Sequence, residues 1–392
     1  MSENPNSLPT GNFNYPTTIK FGCDRIMELA SHCKSMNMLQ PLLVTDQGLA
    51  KLDMIKTAIQ TNNTAGVPTG LFCDVKPNPN GENIMTGVRQ YGDGGHDGII
   101  AFGGGSALDA GKAIALMVGQ SRPIWDFEDV GDNWTRVNVA QMAPVIAVPT
   151  TAGTGSEVGR ASVIVDETRH RKKIIFHPRM LPALVIADPH LTVPLPSRVT
   201  AATGMDALSH NLEAYCAPFY HPMADGIALE GMRLIKNFLP TACQYGGDLL
   251  ARSNMLIASA MGATAFQKGL GAMHALAHPL GAIYDAHHGL LNAILMPYVL
   301  QRNQAAIDDK ICYLARVLEL QTHTFSAFLD YIVGLRSTIG IPHSLYEIGI
   351  DGQRVVEIGE LATQDPSAGG NPIPLSAKDY TAILSNAIDG KL

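Results

Sequence analysis

Four histidines, His274, His278, His287 and His288, fall within fifteen residues of the second half, out of thirteen in the chain. Imidazole is the commonest protein metal ligand and titrates near neutral pH. Upstream, Asp206 and His210 stand four apart in GMDALSHNLEAY. On a helix, residues i and i+4 share a face. An aspartate and a histidine so placed can hold one side of a cation, and the later histidines can close the site. Mixed nitrogen and oxygen donors suit Fe(II) or Zn(II). Spacing alone makes His274 and His278 a facing pair, with Pro279 disturbing the helix just past them. Of the adjacent His287 and His288, only one ring easily points inward. A lone histidine is more often a satisfied core or surface residue. Four in one short stretch, with an Asp-x-x-x-His upstream, favour a metal.

Three segments of the first half could hold a nucleotide. GIIAFGGGSALDAGKAIA sets Gly103, Gly104, Gly105 and Ser106 between a strand and a helix. Glycines allow close backbone approach, and a helix N-terminus offers free N–H groups to a phosphate. Ser106 is expected as the helix N-cap, with Asp109 reaching back to it. The segment is neither a GxGxxG fingerprint, since residue 108 is Leu, nor a P-loop, since Ala113 follows Lys112. The second segment, PTTAGTGSE, offers the hydroxyls of Thr150, Thr151 and Thr154 beyond a strand end, where ligands of open α/β sheets bind. The third, LLVTDQGL, ends a strand in Asp46. An acid there can bond both ribose hydroxyls and repel a 2′-phosphate, which favours NAD over NADP. The plainer readings are a tight turn, a hydrophilic loop and a helix cap.

The elements that must position these residues divide the chain in two. Strands at 42–46, 70–75, 98–102, 145–151, 161–165 and 183–189 are separated by helical patterns from Leu39 to Leu191. Continuous apolar strands alternating with helices predict a parallel sheet covered on both faces. After VPLPSR the apolar spacing is helical, with no convincing strand past about residue 190. The expected organisation is an α/β domain over 1–193 and an all-α domain over 194–392, with residues 1–18 as a loosely ordered arm and 364–375 as a Pro/Gly loop. A net charge of −7 argues against nucleic acid or an anionic membrane as the main partner. No signal peptide or membrane span is read. Six cysteines without a CxxC pair look like reduced residues of a cytoplasmic protein.

Taken together, GGGS-x-x-D (103–109), PTTAGTGSE (149–157), ATGMDALSHNLEAY (202–215), HALAHPLGA (274–282) and HHGLLNAILMPYV (287–299) resemble the iron-containing, group III alcohol dehydrogenases over nearly the full length. The resemblance implies a dehydroquinate synthase-like fold, a nucleotide-binding α/β domain followed by a helical metal domain. It implies Asp206, His210, His274 and His288 as ligands of Fe2+, with Zn2+ an alternative, and His278 close to metal and substrate. His278 is the candidate proton relay. The implied NAD(H) contacts are Asp46, Asn78, the turn Gly104–Gly105–Ser106 with Asp109, Thr150, Thr151, Thr154 and Lys173, Lys172 beside it leaving the register open. The implied activity is hydride transfer between a nicotinamide and a small alcohol or aldehyde, in a homo-oligomer, a dimer or larger. The competing readings are a hydroxyacid–oxoacid transhydrogenase, a dehydroquinate synthase-type lyase and a purely structural metal site.

Overall fold

The computed structural model describes residues 15–169 and 171–392. Six parallel strands form one sheet: β1 (Thr18–Phe21), β2 (Leu42–Asp46), β3 (Gly70–Val75), β4 (Ile99–Gly103), β5 (Val145–Pro149) and β8 (Leu184–Ala187), in the order β1-β8-β5-β4-β2-β3. Each central strand is apolar on both sides because both sides are covered. Leu42, Ile99 and Val145 pack into one layer, and Leu43, Ile100 and Ile146 into the other. Helices α1 (Leu29–Ser35), α2 (Asp53–Thr64), α3 (Gly81–Asp93) and α4 (Gly105–Met117) belong to this half.

Two features differ from the expectation. The segment read as a strand at 161–165 does not join the sheet. As β6 (Ala161–Asp166) it pairs antiparallel with β7 (Arg171–Phe176), a strand that the sequence reading passed over. Three consecutive cations followed by three apolar residues in RKKIIF (171–176) mask its period of two. The other is β1. The N-terminal arm is ordered from Thr18, where an edge strand lies beside β8, and residues 1–14 of that arm fall outside the described residues.

The second half is helical: α5 (Ser197–Cys216), α6 (Pro222–Gln244), α7 (Leu249–Ala265), α8 (Ala272–Tyr284), α9 (His288–Val317), α10 (Phe325–Thr338), α11 (Val355–Thr363) and α12 (Ala377–Asp389). Nearly every residue of α5 from Thr200 onward is buried, because α6, α7 and α9 all pack against it. It stops at Cys216, before Ala217-Pro218, where a following proline disfavours helix. Among the described residues, no helix is long and apolar enough to cross a membrane.

Candidate active site

The sheet reverses its strand order between β2 and β4, and ligands of open α/β sheets bind at such a switch point. Asp46 ends β2, the glycine turn follows β4, and Thr150 follows β5. Asp46 therefore stands beside the glycine turn although it comes earlier in the chain. Its Oδ1 accepts N–H bonds from Gly48 (2.8 Å) and Leu49 (3.0 Å), the turn-capping geometry that was the plainer reading. Gly103 O accepts from Thr150 N at 3.0 Å and joins the two loops. A Cβ on Gly105 would lie 2.6 Å from the Thr154 methyl, so only glycine admits this contact. Thr151 packs against Gly104, and Thr154 Oγ1 accepts from Ser156 N (3.2 Å).

Several expected roles in these loops need correction. Helix α4 starts two residues earlier than expected, with Gly104 rather than Ser106 at its N-cap. Ser106 lies inside the first turn and its hydroxyl donates to Pro77 O. Asp109 does not reach back to the turn. Its carboxylate accepts from Ser156 Oγ (2.5 Å) and Val163 N (2.9 Å), and pairs with the buried Lys112 (3.2 Å). It ties α4 to the second loop and to β6. Lys173, expected at the cofactor, is held away by Glu128 (3.0 Å) and Asp166 (3.3 Å) beside the Trp125 ring. Successive side chains of a strand face opposite ways. It is Lys172 that turns toward the cleft, where Asp109, Asp285 and Asp206 act on it; burial nonetheless holds its ammonium below the usual lysine range. Asn78 Nδ2 donates to Asp285 Oδ1 (2.6 Å), at the left-handed C-cap of α8 (φ 50°).

In the helical half, one donor atom from each of Asp206, His210, His274 and His288 lies within 4.8 Å of every other. Asp206 and His210 share a face of α5, His274 stands in the first turn of α8, and His288 opens α9. Gly289 makes that last approach possible, since a Cβ there would meet Ala202 O at 2.5 Å and Asp206 Cβ at 2.9 Å. His210 Nδ1–H donates to Gly153 O (3.3 Å) in the PTTAGTGSE loop, and so links the helices to the sheet. His274 Nδ1–H donates to Glu213 Oε2 (2.7 Å). Both bonds leave Nε2 as the free acceptor, the arrangement that metal-ligating histidines use.

His278 is one turn from His274, and α8 runs on through Pro279 to Tyr284. Its Nδ1–H donates to Asp365 Oδ2 (2.8 Å), and its ring stacks on His288 with centroids 5.3 Å apart. His287 caps α9, where its Nδ1 accepts from Leu290 N (3.4 Å).

Charge and polarity within the cluster fit a cation. Burial pushes His210 down to about 4 and His288 well below the usual imidazole value. Burial also pulls on His274, but the bond and charge of Glu213 outweigh it and leave a net rise. Asn292 Nδ2 sits 2.9 Å from Asp206 Oδ1 and 3.2 Å from the Nε2 atoms of both His274 and His288. Three acceptors converge on one nitrogen that carries two hydrogens. Asn292 Oδ1 is buried without a partner among the described residues. Acceptors gathered in excess of donors, three imidazoles and one carboxylate, are what Fe(II) or Zn(II) binds.

Glu213, Asn292, Asp365 and Lys172 were not assigned roles from sequence. Glu213 lies seven residues beyond Asp206 and Asn292 four beyond His288, so helical spacing puts each on its ligand's face. Nothing local marks Asp365, which reaches the site from the Pro/Gly loop.

Known proteins share this architecture. Residues 16–189 match the family described as iron-containing alcohol dehydrogenase, and residues 200–388 match its C-terminal part. A 4-hydroxybutyrate dehydrogenase of Cupriavidus necator is 36% identical over 385 residues, 95% of this chain and 99% of that protein. An NAD-dependent methanol dehydrogenase of Bacillus methanolicus is 32% identical, covering 96% of this chain and 100% of that one. The crystal structure of a 1,3-propanediol oxidoreductase superposes with a TM-score of 0.91 at 33% identity, over 96% of this chain and 100% of that one. With both halves matched and relatives spanning nearly every residue, the chain belongs to the iron-containing alcohol dehydrogenase family.

Proposed function

We propose that this oxidoreductase of alcohols and aldehydes is NAD(H)-linked and iron-dependent, with its α/β cofactor domain ending at residue 193. The observation that carries the reading is the cluster of one carboxylate and three imidazoles beside the loop that ends β5, which Thr150 N joins to the turn after β4. In this reading Asp206, His210, His274 and His288 hold the cation. Asp46, Asn78, Gly104 to Ser106, Thr150, Thr151, Thr154 and Lys172 face the cofactor. The similarity to an NAD-dependent methanol dehydrogenase of Bacillus methanolicus supports NAD, and membership of an iron-containing family supports iron over zinc. The reading also takes the protein as a cytoplasmic homo-oligomer.

When bound, the cation supplies Lewis acidity toward the substrate oxygen and the nicotinamide supplies the hydride acceptor or donor. The chain supplies orientation and proton handling. Glu213 fixes the His274 ring, and Asn292 holds Asp206. His278, oriented by Asp365, keeps Nε2 for the substrate hydroxyl proton, taking it in oxidation and returning it in reduction.

The test is a panel of short alcohols with NAD and of aldehydes with NADH, run on iron-loaded and chelated protein. Stoichiometric NADH from an alcohol, lost on chelation and restored by iron, is the expected result. Turnover with no free NADH formed would point to a tightly held, recycled cofactor and overturn the reading.

A further inference from the structure

A cavity of about 290 Å³ is separated from the candidate metal cluster by the side chain of Phe266 and the turn at Ser367. Phe266 on its wall has its ring 5.2 Å from that of His210. Ser367, also on the wall, donates its N–H to the same Asp365 that orients His278 (2.8 Å). The volume is near the lower end for ligand pockets, about 300 Å³, which suits a chain of a few carbons.

Among the described residues, the wall carries one cation, Arg160, and one anion, Asp129, with apolar and neutral residues around them. The guanidinium carbon of Arg160 lies 5.8 Å above the Phe176 ring, which holds the side chain by a cation–π contact. Among the described residues no carboxylate, Asp129 included, comes within 4.0 Å of its nitrogens. A guanidinium whose fork meets no carboxylate of the described residues matches a planar anion two-to-two. Asp129 is close enough to feel that charge, while burial pushes its carboxyl up.

We propose that Arg160 receives a compact anionic tail, a carboxylate or a sulfonate, at the far end of a short substrate whose alcohol or aldehyde end reacts at the metal cluster. This rests on the oxidoreductase reading above and names the substrate class for that site. Arg160 selects, and Asp129 on the same wall moderates the selection by repelling the tail.

The kinetic test compares succinate semialdehyde, a sulfonate-ended aldehyde of similar length and uncharged butanal, each with NADH and the iron-loaded enzyme. At least one anionic aldehyde is expected to exceed butanal in kcat/KM, the better of the two identifying the head group. In Arg160→Gln that ratio falls about 30-fold, mainly through KM, as loss of a charged hydrogen bond implies. Arg160→Lys recovers part of it, and Asp129→Asn raises it above wild type. The last sign distinguishes a charge effect from simple damage to the wall. A binding test needs no turnover: calorimetry of butyrate and butyramide on chelated protein. Butyrate should bind about tenfold tighter, and Arg160→Gln should abolish the difference. Equal binding, or an acid preference that survives in Arg160→Gln, overturns the proposal. If neither aldehyde type is reduced, the oxidoreductase reading fails and the calorimetry still decides Arg160.

Discussion

His278 and Glu213 each pair an imidazole with a carboxylate, yet they do different things. Glu213 accepts from His274 Nδ1 and from the N–H groups of Gly271 (2.8 Å) and Met273 (2.7 Å), so it locks both the ring and the start of α8. Loss of such an outer partner typically costs 10- to 100-fold in metal affinity. Glu213→Gln should therefore lower the iron retained after dialysis against a mild chelator. His278→Ala should leave bound iron full and cut turnover by about 10² or more. Metal analysis and turnover on the same preparations separate the two, and unchanged turnover in His278→Ala removes the proton-relay role. Asp46 belongs to neither pair. Asp46→Gly removes the charge that opposes a 2′-phosphate, so kcat/KM should drop with NADH and rise with NADPH. A fall with both cofactors would mean that Asp46 only caps its turn.

At the scale of elements, the site depends on how closely α9 approaches α5. Gly289→Ala would press a methyl into Ala202 O and Asp206 Cβ. Overpacking of this kind costs about 1–3 kcal/mol. The variant should show a lower Tm together with reduced metal occupancy; a lower Tm with full occupancy would show that the helices can part without opening the donor set. Away from the site, α12 is held at its start by a capping box of Ser376 and Asp379, with Arg302 adding a bond at 3.0 Å. The Ser376 hydroxyl and N–H bonds, ahead of the Arg302 bond, hold the Asp379 carboxyl down to about 2. A depressed folded-state value stabilises above the unfolded value near 4 and is lost as pH falls from there toward 2. Asp379→Asn should cost about 1 kcal/mol at pH 6, discounted for partial exposure, and the gap should narrow as urea melts move from pH 6 to pH 3. The elements that sequence revealed best carry one unmixed period: LLVTD and GLFCDV match β2 and β3 to the residue. β7 was missed because RKKIIF mixes charge with an apolar face, and β6 was put in the wrong sheet because pairing partners are not local information. Among site residues, the two candidate ligands on one face of α5, Asp206 and His210, were legible by spacing. The choice of His274 and His288 over His278 and His287 came from the resemblance, since it depends on where α8 and α9 begin. Asp365 depends on the fold of a distant loop and carries no local signal.

For the whole molecule, a cation held by the four side chains would be a staple as well as a reagent. All four donors come from α5, α8 and α9, and the bond from His210 to Gly153 O reaches the sheet half. A ligand that binds only the folded state stabilises by RT ln(1 + [L]/Kd), about 2.7 kcal/mol at a free concentration 100 times Kd. Without it, two imidazoles and a carboxylate remain gathered about the Asn292 amide nitrogen with His210 beside them, and burial of unpaired acceptors opposes their closeness. Chelation should therefore lower Tm by several degrees, and titration with iron or zinc should restore it with a logarithmic dependence on free metal. The same titration should tighten NADH binding, because the Gly153 carbonyl that His210 holds lies in the loop between Thr151 and Thr154. If chelation lowers Tm while NADH affinity measured by fluorescence stays constant, the helices are stapled but the staple does not reach the cofactor loop. If Tm does not move in protein confirmed to have lost its metal, the four side chains are held together by packing alone, and the cation's part is confined to chemistry.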